Sequence, residues 1–202
     1  MSVNMILELD KDLFRLINHW RSPLLDMVLP WFSDFSLVLP LVVAILVWRF
    51  IKGNKRERIF WVFMILGIVV TDFICAKVLK PLFGRPRPYL ALDDVFVLKH
   101  GAFQLMAQKG LDQGMRMSLS LPSCHASNCA FFSTFLVMEY KRTMPLAVLL
   151  VVLVGYSRIY LGAHYPLDIL GGIMLGAPVA MAFRWILNER SFSPGKGHPQ
   201  NR

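Results

Sequence analysis

The chain has 202 residues, of which 55% are hydrophobic and 17% are charged, and its formal net charge is +9. A soluble domain has roughly 45–50% apolar and about 25% charged residues, so this composition predicts a membrane protein with several spanning segments. Most basic residues fall in short connections and tails, so we attribute the charge to topology and anionic lipid and expect no nucleic-acid partner.

The N-terminal stretch, residues 4–20, has apolar residues at helical spacing, while Asp10, Lys11 and Arg15 face elsewhere. This pattern predicts an amphipathic helix that lies in the membrane interface, or one that simply packs on the rest of the protein. Its acidic and basic residues exclude a signal-peptide core.

Five apolar segments follow and are predicted to span the membrane: 24–50, 59–79, 125–140, 144–156 and 167–187. The fold class is therefore an all-α polytopic membrane helix bundle with about five spanning helices plus the interfacial N-terminal helix. We find no internal repeat, and predict a single domain over residues 1–190 and a polar, disordered cytoplasmic tail over 191–202. Small residues in the last segment, Gly171, Gly172, Gly176 and Ala177, would allow close contact between helices.

Several features between these segments leave alternatives open. Asp72, inside the second segment, is either a functional carboxylate or a polar group paired with another helix. Residues 89–121 form a long polar connection with a short helix predicted near 99–109. The cysteines, Cys75, Cys124 and Cys129, have no CxxC or metal spacing, and we expect free thiols.

The distribution of basic residues predicts the orientation. One end of the bundle collects Lys52, Lys55, Arg56, Arg58, Lys141, Arg142, Arg184, Arg190, Lys196 and Arg202. The positive-inside rule places this end and the C-terminus in the cytoplasm. Four polar segments then converge on the outer face: the 80–88 loop, the 89–121 connection, the start of the third span and the 157–168 turn.

The residues that could bind a substrate or take part in a reaction lie on these converging segments. His164 and Asp168 are four apart, so Asp168 can orient the imidazole, and Arg158 supplies a guanidinium that suits phosphate. A structural histidine at a helix start is the alternative for that stretch alone.

Ser123 and His125 stand at a predicted helix start, where free N–H groups favour anions, and Lys80 and Arg87 add cations. The set suits in-line phosphoryl transfer. A zinc site formed by His125, His164 and Asp168 is the rival, but the nearby cations would repel a divalent ion.

The motifs resemble the signature of the type 2 phosphatidic acid phosphatase superfamily: Lys-x6-Arg-Pro, Pro-Ser-Gly-His and Ser-Arg-x5-His-x3-Asp. This chain has Lys80 with Arg87-Pro88, then Pro122-Ser123-Cys124-His125, then Ser157-Arg158 with His164 and Asp168. The resemblance implies that His164 is the nucleophile, that Asp168 orients it and that His125 is the acid for the leaving group. It also implies that Lys80, Arg87, Ser123, the Cys124 backbone and Arg158 bind phosphate, with no metal and no cofactor.

Two positions depart from or extend that pattern. Cys124 replaces the usual Gly, and its Cβ would be unfavourable if the position needed a positive φ or a close backbone approach to phosphate. Arg85 lies outside the core pattern and is either an additional substrate contact or a structural residue.

The leading hypothesis is an integral-membrane lipid phosphatase at the outer face of a bacterial inner membrane. The resemblance implies a lipid phosphate substrate, namely undecaprenyl diphosphate or lipid A 1-phosphate, with phosphatidylglycerol phosphate or phosphatidate as the alternative. A vanadate-dependent haloperoxidase shares the anion pocket but is soluble, and a non-catalytic bundle that binds anionic lipids remains a further hypothesis. The oligomeric state is not indicated.

Overall fold

The computed structural model describes residues 2–99, 101–106 and 118–191, and it is built mainly from helices. The bounds are α1 (Val3–His19), α2 (Pro23–Val28), α3 (Phe35–Lys52), α4 (Lys55–Phe73), α5 (Lys80–Phe83), α6 (Pro88–Ala91), α7 (Cys124–Glu139), α8 (Met144–Tyr160) and α9 (Pro166–Ser191). A 3₁₀ turn, Leu29–Phe32, follows α2, and a π-helical segment, Ile74–Leu79, joins α4 to α5. The predicted tail falls almost entirely outside the described residues.

Three helical stretches within the described residues are long and apolar enough to cross a membrane: Lys55–Phe83, Lys141–Tyr160 and Pro166–Glu189. Helices α3 and α7 occupy the positions of the other two predicted spans. The first segment differs from the prediction, because helix α3 starts only at Phe35. Residues 24–32 form short helical pieces instead, consistent with Pro23 and Pro30 at helix starts.

Helix α7 is the centre of the bundle and packs against α4, α8 and α9. Its core with α4 is aromatic: Phe60 stacks on Phe135 at 4.9 Å between ring centroids, and Phe131 stacks on Phe135 at 5.6 Å. Against α9 the contact is backbone to backbone, because Gly172 and Gly176 lie directly on α7. Gly172 and Gly176 therefore have the predicted role in close contact between helices.

The predicted short helix near 99–109 is wrong for the described residues of that stretch. Val95–Lys99 (β1) and Ala102–Met106 (β2) form an antiparallel hairpin, with Val95 opposite Met106. Val95 and Val97 are buried, as expected for a strand with alternating sides, and Gly101 has a φ of +80° at the turn.

The hairpin and α1 cover the end of the bundle at which α8 stops and α9 begins. Asn18 of α1 donates to the carbonyl oxygens of Phe96 and Tyr160, at 2.9 Å each. Phe14, Val95, Ile159 and Tyr165 belong to one buried cluster beneath them. Helix α1 therefore packs on the bundle through one side, while Ile6, Leu9, Leu13 and Leu16 on other sides are exposed. This arrangement is compatible with both alternatives for the amphipathic segment.

Candidate active site

The loop between α8 and α9 carries His164, which is 1% exposed. The backbone N–H groups of Ala163 and His164 donate to the carbonyl oxygen of Arg158, at 3.1 and 3.2 Å. Gly162 has a φ of +75°, and a Cβ there would lie 2.5 Å from the carbonyl oxygen of Phe96. Two features of the turn therefore require glycine at position 162: the positive φ and the close approach of the hairpin.

Asp168, in the first turn of α9, is fully buried and faces the imidazole. Its Oδ2 lies 3.4 Å from His164 Nδ1 and accepts a hydrogen bond from the Tyr165 N–H at 2.8 Å. The 3.4 Å separation is long for a hydrogen bond, and Nδ1 makes none within the described part of the chain. Because Nδ1 faces the carboxylate, Nε2 is the nitrogen available for nucleophilic attack.

The start of α7 stands beside this pair. Ser123 is the N-cap residue, and its Oγ accepts from the Ala126 N–H at 3.5 Å. The Ser123 N–H donates to the carbonyl oxygen of Asp168 at 2.9 Å. Two of the predicted motifs are therefore joined by a direct backbone hydrogen bond, and His125 follows in the first turn of the helix. The ring of His125 hydrogen-bonds to the backbone of Ser33.

Cys124 forms a disulfide with Cys75, so the expectation of free thiols is wrong for these two residues and holds only for the buried Cys129. Cys124 is the first residue of α7 and does not have a positive φ. The backbone conformation therefore does not require glycine at this position. The two cysteines are 49 residues apart, in segments predicted separately, and no local spacing rule connects them.

Three cations surround the histidine. Lys80 Nζ donates to the carbonyl oxygen of Leu119 at 2.9 Å. In the described residues, the Nε atoms of Arg87 and Arg158 are buried without a hydrogen-bond partner. Buried N–H donors normally have partners, so these two are suited to an anionic ligand.

Burial lowers the pKa of His164 well below its ordinary value near 6.5, and the positive charges of Arg158, Arg87 and Lys80 lower it further. The imidazole is therefore neutral at physiological pH, which is the form that can act as a nucleophile.

Arg85 contacts two carboxylates and an aromatic ring. Its guanidinium donates to Asp168 Oδ1 at 2.9 Å and to Asp10 Oδ2 at 2.5 Å, and it lies over the Tyr165 ring at 3.8 Å from the centroid. Burial raises the pKa of that tyrosine to about 12, so its phenol is neutral. The sequence predicts that Asp10 lies on the polar side of an amphipathic helix, and a partner 75 residues away has no signal in the sequence.

Asp72 pairs with another helix, which is one of the two alternatives considered. Asn128 of α7 donates to its Oδ1 at 2.9 Å. Among the described residues, no group of three or more His, Cys, Asp or Glu side chains has an arrangement that could hold a metal ion.

The chain is similar to known proteins in both sequence and structure. The family model of the PAP2 superfamily matches residues 60–192. The chain is 26% identical to the lipid A 4'-phosphatase of Bacteroides thetaiotaomicron, in an alignment that covers 96% of this chain and 87% of that relative. It is 22% identical to undecaprenyl-diphosphatase BcrC of Bacillus subtilis, covering 83% of this chain and 77% of the relative. The crystal structure of Aquifex aeolicus LpxE superimposes with a TM-score of 0.64, at 27% identity, over 88% of this chain and 95% of that one.

Proposed function

The chain belongs to the PAP2 superfamily, and from this premise we propose that it removes phosphate from a lipid head group through a phosphohistidine on His164. The observation that carries the proposal is the buried, neutral imidazole of His164, backed by Asp168 and surrounded by Arg158, Arg87 and Lys80. A nucleophile with positive charge around the acceptor position is what phosphoryl transfer needs.

The phosphate is bound before the chemistry begins. The Nε–H groups of Arg87 and Arg158, which have no partner among the described residues, donate to its non-bridging oxygens, and Lys80 contributes a third positive charge. Ser123 and the backbone at Cys124 contribute donors at the start of α7. These contacts would strengthen as charge develops on the oxygens in the transition state, so they would lower the barrier.

In the first step, His164 Nε2 attacks phosphorus in line and the bond to the lipid oxygen breaks. In the complex, the anionic phosphate offsets the nearby cations and favours the protonated form of His125, which gives its proton to the departing oxygen, while Asp168 stabilises the charge that develops on the imidazole of His164. In the second step, water attacks the phosphohistidine, His125 takes a proton from that water, and inorganic phosphate leaves while neutral His164 is regenerated. The protein's own side chains balance every proton, so we propose that no metal or cofactor takes part.

For the substrate, we propose an isoprenoid diphosphate such as undecaprenyl diphosphate, or a lipid A phosphate. These are the substrate types in the names of the two relatives described above. Phosphatidylglycerol phosphate and phosphatidate are the alternatives. By the positive-inside rule, the site faces the outside of the inner membrane, where the head group would enter while the lipid tail stays among the helices.

The experiment is release of inorganic phosphate by detergent-purified protein with EDTA present. Undecaprenyl diphosphate, lipid A, phosphatidylglycerol phosphate and phosphatidate are offered in parallel. His164→Gln is the test variant, and His19→Gln, on the exposed side of α1, is the matched histidine control. We expect metal-independent release from one lipid, abolished only by His164→Gln, and a phosphorylated His164 peptide after a rapid alkaline quench. Release that continues in His164→Gln would overturn the mechanism.

A further inference from the structure

Asp10 on α1 is 2% exposed and makes two polar contacts. Its Oδ1 accepts from the backbone N–H of Leu167 at 2.8 Å, and its Oδ2 pairs with Arg85 at 2.5 Å. A buried carboxylate is unfavourable unless it is paired in this way. Both partners of Asp10 are attached to the catalytic pair, since Leu167 precedes Asp168 in the chain.

Arg85 links Asp10 to the catalytic carboxylate. One end of its guanidinium contacts Asp10, and the other donates to Asp168 Oδ1 at 2.9 Å. The aromatic ring of Tyr165 lies 3.8 Å from it, which restrains the plane of the fork. A continuous chain of side chains therefore runs from α1 to the nucleophile: Asp10, Arg85, Asp168, His164.

The position of Asp168 matters because its contact with His164 is at the limit of hydrogen bonding. The separation between Oδ2 and Nδ1 is 3.4 Å, and Oδ2 also accepts from the Tyr165 N–H. A shift of a few tenths of an ångström decides whether the imidazole is oriented. Without Asp10, the full charge of Arg85 would draw Asp168 toward itself and away from His164.

We propose that Asp10 and Arg85 are positioning residues for the His164–Asp168 pair, and that α1 thereby holds the catalytic geometry. The inference rests on the proposed role of His164 as the nucleophile. The same helix leaves Ile6, Leu9, Leu13 and Leu16 exposed. A helix with an apolar outer side and a buried carboxylate on its inner side links the lipid-facing surface to the reacting histidine.

The first test compares Asp10→Asn with Asp12→Asn, an exposed aspartate on the same helix. Asparagine keeps the shape and can still accept from Leu167 N–H, but it removes the charge that holds Arg85. We expect kcat to fall about 10- to 100-fold in Asp10→Asn, because small misplacements of catalytic groups have effects of this size. KM should change less than about twofold, and Asp12→Asn should behave like wild type. A purely structural role would lower the melting temperature and yield while kcat per folded molecule stayed at the wild-type value.

Two further variants make the coupling testable. Arg85→Lys keeps the charge but cannot contact both carboxylates at once, and we expect a loss similar to that of Asp10→Asn. Combining Asp10→Asn with Asp168→Asn should reduce kcat no further than Asp168→Asn alone, since both residues act through one contact. If the losses in kcat multiply in the double variant, Asp10 acts independently of Asp168, and the proposal is overturned.

A measurement without substrate separates this inference from the proposed function. In protein with ¹⁵N-labelled histidine, NMR reports which ring nitrogen of each histidine carries the proton, and His164→Gln assigns the signal. We expect His164 to be protonated on Nδ1 in wild type and Asp12→Asn, and to be a mixture of tautomers in Asp10→Asn. Identical spectra for Asp10→Asn and Asp12→Asn would overturn the positioning role even if lipids are hydrolysed. A changed tautomer in a protein that releases no phosphate would instead contradict the proposed function alone.

Discussion

The imidazole of His164 is kept neutral by its surroundings rather than by a single partner. It is 1% exposed, and burial lowers its pKa before the charges of Arg158, Arg87 and Lys80 lower it further. The cations that are proposed to bind phosphate therefore also keep His164, the proposed nucleophile, deprotonated before phosphate binds. When an anionic phosphate binds, it offsets those charges and favours the positive imidazole that forms as the bond to phosphorus is made.

The lowered pKa predicts how stability depends on pH. Below about pH 6.5 the unfolded chain binds a proton at residue 164 that the folded chain does not bind. Stability is therefore fully present above the unfolded pKa and is lost as the pH falls toward the folded one. We expect the melting temperature of wild type in detergent to fall relative to that of His164→Gln between pH 8 and pH 5. A difference between the two proteins that stays constant over this range would contradict the prediction.

The residues of the proposed phosphate site could be predicted because each motif is local. Arg158 lies in the last turn of α8, His164 in the loop that follows and Asp168 in the first turn of α9. Ser123 is the N-cap residue of α7. The supporting contacts could not be predicted in this way. Arg85 and Asp10 are 75 residues apart, Cys75 and Cys124 are 49 apart, and neither pair has a spacing that distinguishes it from chance.

At the scale of elements, the contact between α7 and α9 brings His125 and Ser123 to Asp168. A Cβ on Gly176 would lie 2.1 Å from the carbonyl oxygen of Ser127 and 2.8 Å from the N atom of Phe131. These are backbone atoms, so the two helices would have to separate.

We therefore expect Gly176→Ala to destabilise the protein by about 1–3 kcal/mol and to reduce phosphate release. Gly171→Ala is the control, because its Cβ would meet only the side chains of Leu121 and Pro122, at 3.0 and 3.5 Å. Thermal unfolding and activity measured in the same detergent check both effects. Equal behaviour of the two variants would show that close packing of α9 on α7 is not required.

The disulfide joins the π-helical segment that precedes Lys80 to the start of α7. It therefore connects two of the three segments that are proposed to bind phosphate, through Cys124, the residue that stands where the second motif usually has glycine. We predict that Cys75→Ser lowers the free energy of unfolding by about 2–4 kcal/mol and raises KM. Dithiothreitol should have the same effect on wild type and none on Cys75→Ser. Cys129→Ser, which removes the buried free thiol, should match wild type, and a reductant effect in Cys75→Ser would contradict the assignment.

The long helices were predictable from apolar runs, but two local features were not. The sequence predicts a short helix near 99–109, although just before it Val95 and Val97 alternate with Phe96 and Leu98 in the manner of a strand. The alternation covers too few residues to be distinguished from a helix by period alone. The start of α3 at Phe35 has no distinct signal in the sequence, because the prolines before it occur within an otherwise apolar run.

In the whole molecule, the candidate site and the basic loops lie at opposite ends of the helices. At the basic end, Arg49 pairs with Glu57, while Arg56 and Arg184 both pair with Glu139. These pairs join α3 to α4, α4 to α7 and α7 to α9. Ion pairs therefore hold the end that is rich in Lys and Arg, while at the other end cations lie next to His164.

This polarity predicts the orientation in the membrane, and labelling of single cysteines tests it. In a Cys129→Ser background, Gln104→Cys places a thiol on the exposed side of the hairpin, and Lys141→Cys places one at the basic end. Because basic loops stay in the cytoplasm, a membrane-impermeant maleimide should label Gln104→Cys in intact cells and Lys141→Cys only after lysis. The reverse pattern would place the site in the cytoplasm, and the substrate would then have to be a lipid of the inner leaflet. The labelling result thus decides which leaflet supplies the head group, independently of any assay of phosphate release.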